Sequence, residues 1–228
     1  MGRPKVPLIS SRREVLEVAL RIIDAEGLEA LSVRRLALEF NVNAASFYYH
    51  FRNKEEIVTG AAELALEDVR VPRIAGGDWR EWILRNAKAY RTALVSHPDL
   101  IMIMIRGGRL RIGLRRIDAT VARLEEHGLP AEGTLALLEA LETLVLGSAI
   151  SESHQDESAD VPPGLEEKYP GLSRALKRRA LSYEAEFDIA SRSTIDGIAA
   201  AFGVEPRPWA SAPAKVVTGP RRGAGSGP

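Results

Sequence analysis

The chain has 228 residues, 45% hydrophobic and 27% charged, and its 31 basic and 31 acidic side chains cancel to zero net charge. That is ample apolar material for a buried core, and the absence of cysteine excludes disulfides, thiolate nucleophiles and cysteine-ligated zinc. A neutral total still permits a local basic patch, which is all that nucleic-acid binding needs.

Strand-type alternation is missing, Leu and Ala dominate, and no internal repeat is present, so the expected class is all-α. Residues 1–9 form a basic arm with Arg3 and Lys5, and no long apolar run follows. With no stretch approaching the ~20 apolar residues of a membrane span, the expectation is a cytoplasmic protein. The first helix starts at Ser10 or Ser11, with Glu14 at capping-box spacing. Its apolar stripe is Val15, Leu16, Ala19, Leu20, Ile22 and Ile23, and Gly27 ends it. A second helix over 33–40 has Ser32 as its cap. Asn41 supplies the left-handed residue of a tight turn. A third short helix is expected over 43–50, then a turn at 52–54 with Asn53 as cap, and a long helix over 54–69.

Pro72 and Gly76–Gly77 interrupt the pattern. Asp78 caps a helix over 79–96, which His97–Pro98 breaks. Helices are expected over 99–106 and 110–127. Pro130 opens a long helix over 131–153, whose wide apolar face includes Leu135, Leu138, Leu141, Val145 and Leu146. Residues 154–171 read as a mobile acidic loop, followed by a short helix over 172–181 and an amphipathic helix over 183–202. Beyond Gly203 the composition collapses to Pro, Gly, Ala and Ser, and a disordered tail is expected. The domain plan is a basic arm at 1–9, a helix-turn-helix unit at 10–58, a ligand-binding and dimerisation unit at 59–204, and the tail at 205–228.

Two short helices joined by a turn are common in any helical protein, and spacing alone suits an ordinary hairpin. Three features favour a DNA reader. Phe47 and Phe51, four apart, anchor the third helix inward, while Asn43, Ala44, Ser46, Tyr48, Tyr49 and His50 cover the rest with groups suited to base edges and phosphates. Ala44, Ala45 and Ser46 keep the inserting end small. Arg12, Arg13, Arg34, Arg35, Arg52 and Lys54 flank the unit where phosphates would lie.

The run SVRRLALEFNVNAASFYYHFRNKEEIV over 32–58 resembles the N-terminal domain of the TetR (tetracycline repressor) family. It carries a capped helix, an apolar residue (Val42) after the turn, a segment ending in YYHF and then an NK pair. LRNAKAYRTALVSHPD (84–99), LVLGSAISE (144–152) and FDIASRSTIDGI (187–198) are similar to the branch with a tetracycline-repressor-like C-terminal domain. The resemblance implies base-facing roles for Arg34, Asn43, Ala44, Ala45, Ser46 and Tyr48. It implies phosphate-facing roles for Ser32, Tyr49, His50 and Lys54.

In the C-terminal unit the resemblance implies a pocket with Asn86 and Tyr90, and it places Glu152 near a magnesium site whose histidine ligand is Met104 here. A thioether suits a hard cation poorly, so no metal is expected and the effector differs from magnesium–tetracycline. Trp82, Met102, Ile105, Leu114, Ile117 and Leu138 make the expected pocket apolar; each taken singly also fits a plain core. The resemblance further implies a homodimer built on the last two long helices, with double-stranded DNA bearing a palindromic operator and a small-molecule effector as partners. Two alternatives stand beside a repressor. An enzyme is disfavoured because His50, His97, His127 and His154 are scattered and no phosphate loop or nucleophile motif occurs. A helical interaction module would leave the make-up of 43–50 without purpose. No cofactor is expected.

Overall fold

Ser11 starts the first helix as its N-cap: its side-chain oxygen accepts the Glu14 N–H at 3.1 Å. In the computed structural model the described residues are 11–67, 69, 78–107, 113–153, 164–178, 181–205 and 207–211. The expected arm at 1–9, the stretch 154–163 and the chain beyond 211 lie outside them.

Helix α1 (Arg12–Glu26) buries Val15, Val18, Ala19, Ile22 and Ile23 on one stripe and ends at Gly27, whose φ is +86°. Helix α2 (Val33–Phe40) is capped by Ser32, and Asn41 turns the chain in the left-handed conformation at φ 50°, ψ 44°. The next segment, Ala44–Tyr49, is a 3-10 helix rather than the expected α-helical turn. Its backbone closes three-residue bonds, Ser46 N–H to Asn43 C=O at 2.9 Å and His50 N–H to Phe47 C=O at 3.0 Å. The Asn43 side chain accepts from Ala45 N–H at 2.9 Å, which tightens the start further.

Helix α3 (Lys54–Ala65), capped by Asn53, lies against α1 through Ile57, Gly60, Ala61 and Ala62. Glycine at 60 allows a close approach, since a Cβ there would sit 2.7 Å from Leu16 Cδ2. The expected domain boundary at 58/59 therefore cuts through a single helix, because the side chains that pack α3 on α1 continue past it.

A second unit holds α4 (Trp79–Ser96), α5 (Asp99–Gly107), α6 (Leu114–Glu126), α7 (Ala131–Ser153), α8 (Leu165–Lys168), α9 (Pro170–Lys177) and α10 (Tyr183–Ala201). Gly113, at φ 75°, starts α6 later than expected. The helix expected over 172–181 opens earlier, on Pro170, and the short α8 falls within the expected loop. Helix α7 runs between α4 and α10. Leu84 and Leu94 from α4, Leu137 and Val145 from α7, and Phe187 and Ile195 from α10 form the buried centre. By length and composition α7, at mean hydropathy 1.5, could cross a membrane, contrary to the expectation that no stretch could. It nevertheless carries Glu132, Glu139, Glu142 and Glu152 and packs on both neighbours, as a bundle's core helix does.

The first part of the expected disordered tail is ordered. Trp209 lies across α10, with its indole N–H donating to Asp196 at 2.8 Å. The guanidinium of Arg192 stands 4.4 Å from its ring centre and that of Arg80 stands 5.4 Å away. Ser211 donates its backbone N–H to Glu81 at 2.8 Å and accepts from Arg192 at 2.8 Å. This strap covers charged side chains that are themselves buried: Arg80, Glu81 and Arg192 are 2%, 6% and 7% exposed. Burial raises the Glu81 carboxyl, but the Ser211 hydrogen bonds and the charges of Arg192 and Arg85 outweigh it and hold it below the ordinary range.

Trp209→Ala is expected to lower stability by about 1–3 kcal/mol in urea denaturation. A depressed carboxyl stabilises above its ordinary value and loses that contribution as pH falls through its folded value. The Trp209→Ala deficit should therefore shrink as pH drops below ~4.3; a deficit independent of pH would separate the strap from the Glu81 contact.

Candidate DNA-reading surface and effector cavity

The 3-10 segment is held from behind. Phe47 is 1% exposed and Phe51 3%, as their four-residue spacing implies, and Phe40 meets Phe47 edge to face at 5.8 Å. Arg12 fastens the same segment to the helices on either side. It donates to the His50 carbonyl at 2.7 Å and pairs with Glu56 at 2.8 Å, and its guanidinium lies 4.4 Å from the Phe51 ring centre. Glu56 is held below the ordinary carboxylate range by the Arg52 backbone N–H and then by Arg12.

With Phe47 turned inward, Tyr48 and Tyr49 turn outward, at 62% and 90% exposed. Asn43 and Ala45 are exposed beside them, and Ser46 and His50 are half-buried. Arg34 is exposed and Lys54 is half-buried at the start of α3. Neither joins an ion pair among the described residues. Three residues have local structural tasks. The Asn43 carbonyl oxygen is taken up by Ala45 N–H. Ser32 accepts the Arg35 N–H at 3.0 Å. Ala44, expected to face bases, is half-buried and packs partly against the core. Arg35 pairs with Glu26 at 2.6 Å and Glu39 at 2.7 Å, so its charge braces α2 against α1.

Between α4, α6 and α7 lies a cavity of about 130 Å³. Of the expected pocket residues, Asn86, Tyr90, Met104, Ile117 and Leu138 line it. Trp82, Met102, Ile105, Leu114 and Glu152 do not. Met102, Ile105 and Leu114 are 44%, 51% and 60% exposed, since α5 is apolar on every face and only one face can turn inward. Trp82 sits under the Arg123 guanidinium at 5.1 Å. Glu152 is paired with Arg91, which also donates to Ser148 at 2.7 Å.

The cavity's polar side chains include four that sequence reasoning missed: Arg116, Thr120, Glu139 and Glu142. The available signal was the four-residue spacing of Arg116, Thr120 and the buried Leu124 along α6. Burial, with the charge of Glu142 adding to it, pushes the Tyr90 hydroxyl far above its ordinary value. Tyr90 is thus a neutral hydrogen-bonding phenol. Arg116 is pushed down by burial, donates to the Leu66 carbonyl at 3.1 Å, and stands 5.6 Å from the Tyr90 ring centre.

Comparison with known proteins matches residues 15–61 to the family described as bacterial regulatory proteins, tetR family, and residues 71–202 to the tetracyclin repressor-like C-terminal domain. Among curated relatives, an HTH-type transcriptional regulator of Saccharopolyspora erythraea is 28% identical over 209 residues, 87% of this chain and 88% of that one. Tetracycline repressor protein class E of Escherichia coli is 29% identical over 202 residues, 82% of this chain and 90% of that one. Among solved structures, the Streptomyces coelicolor TetR family protein ActR, in complex with (S)-DNPA, superposes with a TM-score of 0.69 at 29% identity, covering 84% of this chain and 98% of that one.

Phe47→Ala is expected to remove about 3–5 kcal/mol of stability. The loss should appear as early melting of the first three helices, followed by hydrogen exchange over 12–65. Unchanged exchange there would mean that Phe47 does not anchor the segment.

Proposed function

The chain belongs to the tetR family of bacterial regulatory proteins and is a ligand-responsive, DNA-binding transcriptional regulator; from that premise we propose how its own residues divide the work. The carrying observation is that one chain holds an outward-facing tyrosine-rich segment, fixed by a buried Phe47, and a separate cavity bounded by apolar side chains with a few polar groups. We read it as a repressor of a cytoplasmic operator.

In this reading the Ala44–Tyr49 segment enters the major groove. Asn43, Ala45, Ser46 and Tyr48 meet base edges, and Arg34 contributes at the groove's rim. Ser32, Tyr49, His50 and Lys54 meet phosphates. The protein binds as a homodimer through α7 and α10. Both helices carry a mid-helix glycine, Gly147 and Gly197, facing open space. Glycine lowers helix propensity by roughly 0.8–1 kcal/mol, a cost that the close approach of a symmetry mate offsets. Leu144, Leu146, Ile150 and Ile198 are only partly covered within one chain. A two-fold dimer calls for an approximate palindrome with half-sites about 34–36 Å apart. The cavity takes a small, largely apolar effector bound more tightly by the DNA-released form, so effector and operator oppose each other by linkage.

The test is binding of the purified protein to DNA from its own promoter region, followed by fluorescence anisotropy across a salt series. Lys54→Ala should weaken binding to all sequences and lower the salt slope by about 1 per protomer. Tyr48→Ala should reduce discrimination among sequences. Both variants should remain dimers in sedimentation. Absence of salt-dependent binding by the unaltered protein would defeat the proposal.

A further inference from the structure

We propose that the cavity selects an aromatic acid, a ring system carrying a carboxylate or equivalent anion, and that Arg116 recognises the anion by giving up its hold on the end of α3. This rests on reading the cavity as the effector site.

Arg116 is a half-buried cation with many apolar neighbours on its cavity side. Ile83, Ala87, Met104, Ile117 and Val145 are among its neighbours in the cavity wall. A guanidinium has five N–H donors in a planar fork. Among the described residues this one has the Leu66 carbonyl and the face of Tyr90, and no carboxylate. Glu139 and Glu142 line the same cavity from α7, yet neither pairs with Arg116. Burial lowers the guanidinium's proton affinity. Removing a cation from water without an anion beside it is unfavourable, and a carboxylate presented to the fork relieves that with two parallel charge-assisted hydrogen bonds.

The rest of the lining suits the ring that would carry such an acid. The volume, about 130 Å³, is close to the ~150 Å³ that accommodates benzene in an apolar protein cavity. Asn86 and the neutral Tyr90 phenol offer further hydrogen bonds. Glu139 is exposed, so water screens its repulsion of an anion, and the half-buried Glu142 is engaged in an interaction of its own.

The second half of the proposal follows from where Arg116 donates. Leu66 follows the last residue of α3, and its carbonyl lies at the negative end of that helix. One side chain thereby spans the cavity and the helix that carries the reading segment. A carboxylate competes for the donors now given to Leu66, because a charged acceptor binds a guanidinium more strongly than a peptide carbonyl does. Occupancy then releases α3 from α6, and the reading unit loses one of its tethers.

The probes are benzoate, its uncharged amide benzamide, and benzylammonium, measured by calorimetry against the full chain. The unaltered protein should prefer the acid over the amide by about tenfold or more. Arg116→Gln should abolish that preference and leave the amide's affinity within about threefold. Arg116→Lys, which keeps the charge and loses the fork, should keep part of it. Hydrogen exchange over 60–67 should speed up by about twofold or more with the acid, and should not respond to the amide or to the acid in Arg116→Gln. If the amide or the ammonium binds as tightly as the acid, the assignment of an acid falls while the effector cavity stands. If none of the three binds, both fall. If the acid binds through Arg116 and exchange over 60–67 does not move, the link to α3 is overturned.

Discussion

The position of Phe47 decides what the rest of this molecule can do. Six residues of 3-10 helix close few and poorly aligned hydrogen bonds and cannot hold a shape alone. The segment keeps its shape because Phe47 and Phe51 are driven into the core formed by α1, α2 and α3, and because Arg12 ties the His50 carbonyl and Glu56 into one unit. The outward orientation of Tyr48 and Tyr49 is the geometric complement of that burial. The surface proposed to meet DNA is thus specified from its hidden side.

The reading unit and the C-terminal unit meet through a mixture of apolar packing and a few polar links. His97 at the end of α4 touches Asp24 of α1 at 2.9 Å, and Arg116 of α6 reaches Leu66. Such polar links exchange readily for water or for a ligand, whereas the α1–α3 packing around Gly60 does not. The joint is therefore softer than the units it connects. A regulator needs this arrangement, because a bound effector can shift the heads only if moving them costs less than deforming them.

The sequence made the helix boundaries legible wherever a single residue carries the physics. Ser11, Ser32, Asn53 and Asp78 cap helices by accepting backbone N–H groups, and Asn41 adopts the left-handed turn expected of it. It did not reveal the 3-10 segment, since the same Asn43 that tightens it would equally cap an α-helix. Met102 and Ile105 were misplaced because α5 offers no polar face by which to orient it. Arg116 was hidden by Arg115 beside it, which is the same residue and is exposed in the fold. Helical spacing with Thr120 and Leu124 hints at the difference, and the packing of α6 against α4 and α7 decides it. Trp209 was hidden by its setting, a stretch of Pro, Ala and Ser in which one large aromatic does not alter the average.

That tryptophan gives the chain a border that homology alone would draw in the wrong place. The match to the C-terminal family domain stops at residue 202, while the last described contacts are made by Ser211. A protein shortened to the matched region would keep every helix of the bundle, yet Glu81 and Arg192 would lose their shared partner and Asp196 its indole donor. Expression tags or fusion partners joined directly after α10 would displace the same strap. The practical edge of the sensing domain is set by where its buried charges find their last hydrogen bonds.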